Sequence, residues 1–180
     1  DASVADVEGF GAVAGLRGIR HPVDVALAVR RSPHVMLAGE GAQAFARRLG
    51  FAEEDLSTPP KRDAVHRVWA TLQEDPRWKG HDPAAFWNFP SPPPSGLSRP
   101  LGDTVGAVVR DARGDVAAAV STGGTSYALL GRVGDAPIFG AGIYVSPAGA
   151  VVATGMGEEI WRRLSSREVH DAMAQGAPPA

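Results

Sequence analysis

The sequence predicts a layered α+β fold, and three observations carry that reading. Short runs of small and β-branched apolar residues at 104–109, 116–120, 141–145 and 150–153 have the length and bounding turns of strands. Stretches with apolar residues three and four apart occur in both halves of the chain and read as helices. Glycine and proline are also segregated: nine of the 15 prolines lie between Pro59 and Pro100, whereas 12 of the 22 glycines crowd into Gly102 to Gly157. A mixed N-terminal part, a Pro-rich connector and a Gly-rich C-terminal part follow from this division. Strands of small residues flanked by helices in both halves predict helices packed on sheet.

In the first zone, residues 10–19 read as a strand interrupted by glycines. His21-Pro22 opens a helix, because proline suits the first helical position. Val25, Ala28 and Val29 form its apolar stripe, and Ser32-Pro33 ends it. Residues 34–37 are a short apolar run. Residues 40–49 are helical, with Ala42, Phe45, Ala46 and Leu49 on one face and Gly50 as the stop. Thr58-Pro59 starts another helix carrying Val65, Val68, Trp69 and Leu72, and after Pro76 no periodicity remains. Ser91-Pro92-Pro93-Pro94-Ser95-Gly96 is an exposed, polyproline-like linker within a connector spanning about 76–103.

The third zone changes character. Asp111-Ala112-Arg113-Gly114-Asp115 is a hairpin turn between the runs at 104–109 and 116–120. A second hairpin turns at Ser146-Pro147-Ala148-Gly149. Residues 158–164 look helical. Ser165-Ser166-Arg167-Glu168 has the pattern of a capping box for a final helix that Gly176 stops.

Composition bounds the function. With 18 Lys+Arg against 20 Asp+Glu, the net charge is −2, which argues against a nucleic-acid partner. The absence of cysteine excludes disulfides, thiolate zinc sites and cysteine nucleophiles. No apolar run approaches the ~20 residues of a membrane span, and no secretory signal is visible. The compartment is left open, the cytoplasm being slightly favoured. The chain opens on Asp1-Ala2-Ser3 without an initiator Met, which reads as a processed product or a fragment.

Gly39-Glu40-Gly41-Ala42 fits a dinucleotide-binding fingerprint, but the preceding apolar run is short and a Glu at the second position repels phosphate. It reads as a glycine-assisted tight turn. The histidines, His21, His34, His66, His81 and His170, have no helical metal-site spacing and read as surface or cap residues. Trp69, Trp78 and Trp87 read as anchors for the connector. The region 102–157 is different. Thr104 starts a strand directly after the connector, Ser121-Thr122-Gly123-Gly124 ends the next one, and Gly131-Arg132-Val133-Gly134-Asp135 and Ala153-Thr154-Gly155 follow. These segments alone fit either a tightly packed sheet of small residues or a site.

Four such segments, in this order and with this spacing, resemble the N-terminal-nucleophile asparaginase family, which includes plant-type asparaginases with isoaspartyl peptidase activity and glycosylasparaginases. Residues 10–56, with Gly11-Ala12-Val13 and Gly39-Glu40-Gly41-Ala42, resemble the end of the family's α part. The resemblance implies an α-β-β-α sandwich. It implies one folded domain in which 1–103 is a partial α region and 104–180 a partial β region. It implies self-cleavage between Asp103 and Thr104, after which Thr104 is both nucleophile and carrier of the α-amine base. That arrangement is chemically apt, because a threonine hydroxyl needs an adjacent base and an α-amine titrates near ~7.7–8.0.

By the same resemblance Thr122 orients the nucleophile. Arg132 binds the substrate α-carboxylate, Asp135 its α-ammonium, and Thr154 with Gly155 forms the oxyanion hole. The substrate is then a small molecule, asparagine or a β-aspartyl compound, with no cofactor and no metal ligand in the chain, and complete αβ units form a homo-oligomer. The chain departs from the family in carrying Ala136 where Ser is common and Tyr127-Ala128 where a Lys is frequent. These changes bear on substrate preference. The family extends further at both ends, including a metal-ordering loop before the first residue here, so the chain reads as truncated at both ends, with sheet edges and apolar faces left bare. Two other readings stay open. Phe51 to Thr58, with Glu54-Asp55-Leu56-Ser57-Thr58, and Trp69 and Trp78 point toward glycosylasparaginase, whereas Ser121-Thr122-Gly123-Gly124 points away from it. A non-catalytic fragment acting only as an association partner is the second.

Overall fold

The computed structural model describes residues 1–60, 79–88, 104–125 and 128–178. Two adjacent strands, β1 (Ala2–Asp6) and β2 (Gly9–Ala14), open the chain as a hairpin. Helix α1 (Pro22–Arg30) follows, then the short β3 (Met36–Ala38) and helix α2 (Gly39–Arg48). A 3-10 turn occupies Pro83–Phe86. The C-terminal part contributes β4 (Thr104–Arg110), β5 (Val116–Thr122), β6 (Ile143–Ser146), β7 (Gly149–Val152), α3 (Gly157–Arg163) and α4 (Ser165–Ala174).

Five strands form one sheet in the order β3-β2-β1-β5-β4, antiparallel except for the β2–β3 pair. β6 and β7 pair separately. The pleat sends alternate side chains to opposite faces. Ala2, Val4 and Val13 therefore pack against Val25, Ala26 and Val29 of α1 on one face. Ala5, Val116, Ala118 and Val120 pack against Ile143 and Val145 of β6 on the other. Each fully buried valine contributes about 1.5–3 kcal/mol relative to exposure. Helix α4 covers the outer side of the β6–β7 hairpin: the His170 ring stands edge-on to Tyr144, 4.7 Å between centroids, and its Nε2 lies 2.7 Å from Ser146 Oγ. Helix, sheet, second sheet and helix thus follow one another. At the edge of the larger sheet, β4 leaves Val105 and Val109 exposed.

One close approach explains a glycine. A Cβ on Gly11 would lie 2.3 Å from the Ala26 carbonyl oxygen and 2.4 Å from the Arg30 nitrogen, so α1 rests directly on the β2 backbone.

Most elements stand where pattern predicts them, and the differences have physical causes. The strand expected over 10–19 stops at Ala14, because Gly15 and Gly18 take φ of 68° and 65° and turn the chain. β1 escaped sequence reading altogether, yet it is the middle strand of the sheet. Its ASVAD sequence is short and poor in large apolar side chains. The capping box is not formed: Leu164, in the left-handed region at φ 52°, precedes α4, and no side chain caps that helix. The Ser165 hydroxyl reaches back to the Ile160 carbonyl instead (3.5 Å). His170 is buried rather than a surface or cap residue, enclosed by the hairpin it anchors, whereas His21, His34 and His81 are exposed.

The 39–42 segment is the first turn of helix α2 and not a separate tight turn: Gly39, at φ 56°, follows β3 directly, and Glu40 pairs with Arg17 at 2.9 Å. Beyond Pro60, the helix predicted from Thr58-Pro59, with Trp69, Trp78 and His66, lies outside the described residues, as do the linker and Asp103. Asn88 ties the connector to the body: its side-chain amide donates to the Leu130 carbonyl (2.8 Å) and accepts from the Leu130 N–H (2.9 Å).

Candidate active site

The β4–β5 register sets Thr104, the first residue of β4, opposite Thr122, the last of β5. The Thr104 hydroxyl donates to Thr122 Oγ1 at 3.2 Å. The Gly124 N–H donates to the same oxygen at 3.0 Å. Gly124 can present its N–H there because it turns the chain at φ 87°. Thr104 is half-buried. Its hydroxyl is thereby held in one direction at the head of a strand.

A second group of residues forms on the loop that follows. Asp135 is 9% exposed, and its Oδ2 has no hydrogen-bond partner. Burial pushes the Asp135 carboxyl above the ordinary aspartate range; its own N–H and the Arg132 charge oppose the rise, and the Glu158 charge adds to it. Arg132 donates from Nε (3.0 Å) and Nη2 (2.9 Å) to Oε1 of Glu158, at the start of α3. The guanidinium lies over two glycines: a Cβ on Gly134 would meet Arg132 Nη1 at 2.7 Å. A Cβ on Gly157 would meet Asp135 Oδ1 at 2.7 Å and Arg132 Nη2 at 2.9 Å. Arg132 is thus paired with the Glu158 carboxylate, and its charge also acts on the buried Asp135 carboxylate, which keeps an unused acceptor. Such a pair suits a ligand bearing both an anionic and a cationic group.

Thr154 and Gly155 lie on the turn from β7 to α3, and both are exposed. Gly157 and Glu158, a few residues on, touch the Arg132–Asp135 pair, so the segments at 131–137 and 153–158 meet. Neither Thr154 nor Gly155 is hydrogen-bonded to Thr104 among the described residues. Among those residues no group of three or more metal-ligating side chains is placed to hold an ion.

Sequence reading missed three contributors. Glu158 looked like an ordinary acidic residue in a first helical turn. Asp1 accepts from the Gly15 N–H (2.8 Å) and the Gly134 N–H (3.3 Å), and Ser3 donates to the Ala136 carbonyl (2.6 Å). Only the unread strand β1 could have pointed to the last two.

Residues 1–180 match the family model described as Asparaginase. The chain belongs to the N-terminal-nucleophile asparaginase family. Among curated asparaginase relatives, an N(4)-(beta-N-acetylglucosaminyl)-L-asparaginase of Elizabethkingia miricola is 36% identical over 99% of this chain and 48% of that protein. The mouse (Mus musculus) protein of the same name is 37% identical, over 100% of this chain and 55% of its own length. An isoaspartyl peptidase of Salmonella typhimurium is 41% identical over 92% of this chain and 50% of that protein. The chain thus spans about half the length of the asparaginase relatives it matches. Among the described residues, no helix is long and apolar enough to cross a membrane.

Proposed function

We propose that this chain carries the catalytic centre of a self-cleaving threonine amidohydrolase that releases aspartate from L-asparagine or β-aspartyl peptides. The observation that carries the reading is the Thr104–Thr122 hydroxyl pair at 3.2 Å at the head of β4, on a chain that also holds the Arg132–Asp135 pair. Cleavage of the Asp103–Thr104 bond frees the Thr104 amine. The amine takes the Thr104 hydroxyl proton as the oxygen attacks the substrate β-carbonyl, and passes it to the departing amine or ammonia. The resulting β-aspartyl ester is hydrolysed by water, which regenerates the threonine. Arg132 receives the α-carboxylate and Asp135, ionised, the α-ammonium. The Thr154 hydroxyl and Gly155 N–H stabilise the oxyanion; loss of one such donor costs about 10²–10³ in rate.

The helix-sheet-sheet-helix order supports an α-β-β-α sandwich forming one domain, with residues 1–103 in the α region and 104–180 in the β region. Complete αβ units associate as a homo-oligomer. Glycosylasparaginase activity is the second reading. It is favoured by Glu54-Asp55-Leu56-Ser57-Thr58 and by relatives of that name aligning with 99–100% of the chain.

Intact mass after incubation tests the first step: pieces of 103 and 77 residues appear (180 − 103 = 77) and Thr104→Ala abolishes them. Aspartate release from asparagine, a β-aspartyl dipeptide and a glycosylated asparagine then separates the two substrate readings. A folded chain that stays at full mass and releases no aspartate is the association partner without catalysis, and sinks the proposal.

A further inference from the structure

Asp1 lies in line with the nucleophile. Thr104 pairs with Thr122 across β4 and β5, and the Thr122 N–H in turn donates to the Asp1 carbonyl at 3.0 Å, continuing the β5–β1 ladder. Three adjacent strands therefore present Thr104, Thr122 and Asp1 in one row across the sheet, spanning two strand spacings or about 10 Å. From the far end of this row the Asp1 carboxylate reaches the head-group loop. One oxygen accepts from the Gly15 N–H (2.8 Å) and the other from the Gly134 N–H (3.3 Å). Two residues on, and so on the same side of the strand, the fully buried Ser3 donates to the Ala136 carbonyl at 2.6 Å. The two-residue step on β1 matches the two-residue step on the loop. Asp135 sits between the two tied residues, with Gly142 packed so closely beneath that a Cβ there would lie 2.5 Å from the Asp135 carbonyl oxygen.

We propose that Asp1 and Ser3 are positioning residues that fix the loop carrying Arg132 and Asp135 at a set distance from Thr104, so that the site accepts a β-aspartyl chain and rejects the γ-glutamyl chain one methylene longer. The inference rests on the amidohydrolase reading above. Its physical basis is rigidity. Without the two ties, the loop can recede from the row of threonines by the ångström or so that an extra methylene requires. With them, the reacting carbonyl of a longer substrate overshoots Thr104 whenever its head group is seated. The ties touch neither the substrate nor the nucleophile. Their loss therefore shows in binding and in discrimination more than in turnover.

The test uses Asp1→Asn, which keeps one acceptor oxygen, Asp1→Ala, which keeps none, and Ser3→Ala. Steady-state kinetics on L-asparagine and L-glutamine are combined with amide hydrogen exchange of the 132–137 loop. The expected result is a KM for L-asparagine raised about 10- to 100-fold in Asp1→Ala, the range for losing bonds to a charged acceptor. The rise is smaller in Asp1→Asn. In each variant kcat falls by less than KM rises, the preference for asparagine over glutamine narrows, and exchange at Gly134 accelerates. An unchanged asparagine-to-glutamine ratio in Asp1→Ala and Ser3→Ala overturns the positioning role, and so does unchanged exchange at Gly134, which is readable in a chain with no turnover at all. Equal losses in kcat on both substrates, with discrimination intact, mark a general structural role and also overturn it. If the wild-type protein neither hydrolyses asparagine nor gains thermal stability from L-aspartate, the amidohydrolase reading has failed instead.

Discussion

Gly157→Ala separates the proposed head-group site at Arg132 and Asp135 from the stability of the fold. A Cβ at this position lies 2.7 Å from Asp135 Oδ1 and 2.9 Å from Arg132 Nη2, where ordinary contact begins near 3.4 Å. The carboxylate must therefore retreat by about 0.7 Å (3.4 − 2.7). Both obstructing atoms are the ends of side chains, so they can move without disturbing the backbone. Gly157 begins α3 with no positive φ, and alanine in place of glycine stabilises a helix by up to about 1 kcal/mol. The thermal midpoint should hold or rise slightly. Catalysis should not hold, because a misplacement of about 1 Å at a positioned group costs on the order of 10²-fold. A retreat somewhat smaller than this implies a loss in kcat/KM of about tenfold or more, mostly in KM, measured as aspartate release from L-asparagine. Gly41→Ala is the matched control. It lies in α2 with nothing within 4 Å of its added Cβ, and it should stabilise without touching activity. A Gly157→Ala protein with kcat/KM within twofold of wild type would refute the assignment of Arg132 and Asp135 to the substrate head group.

Gly11→Ala should act on the fold alone: its Cβ collides with α1 backbone at 2.3 and 2.4 Å, and the cost in unfolding free energy should reach about 3 kcal/mol, checked by urea titration. Asp135→Asn should trade binding for stability in a pH-dependent way. Burial raises the Asp135 carboxyl pKa, so the native state holds that proton more tightly than the unfolded chain does. Wild-type stability then falls as pH rises from the ordinary aspartate value, about 3.9, through the raised one. The advantage of the Asn variant should be absent below that window, grow across it and be complete above it. Parallel thermal unfolding series of the two proteins read this directly, and a difference independent of pH would contradict it.

Much of the candidate site was legible because its residue pattern is local in sequence. Thr104 beside the connector, Thr122 beside Gly123-Gly124, and Arg132 three residues from Asp135 are patterns that survive without a fold. The hairpin turning through Gly114, at φ 92°, is equally local. β1 was not legible, because a five-residue strand of mostly small side chains has no periodicity strong enough to read. The His170–Ser146 contact was hidden for a related reason. A histidine on an amphipathic helix looks solvent-facing until the hairpin that covers it is known.

What the sequence determined by itself is therefore the short elements and the candidate groups they bear, through turn glycines, apolar spacing and residue order. Tertiary structure alone decided how these groups are held relative to one another. Asp1 meets Gly134, and Ser3 meets Ala136, across 133 residues of chain. Those contacts exist because β1 lies next to β5 in the sheet. Strand order is a property of the whole packing, chosen by which apolar faces can be buried together. Short-range spacing carries no record of it.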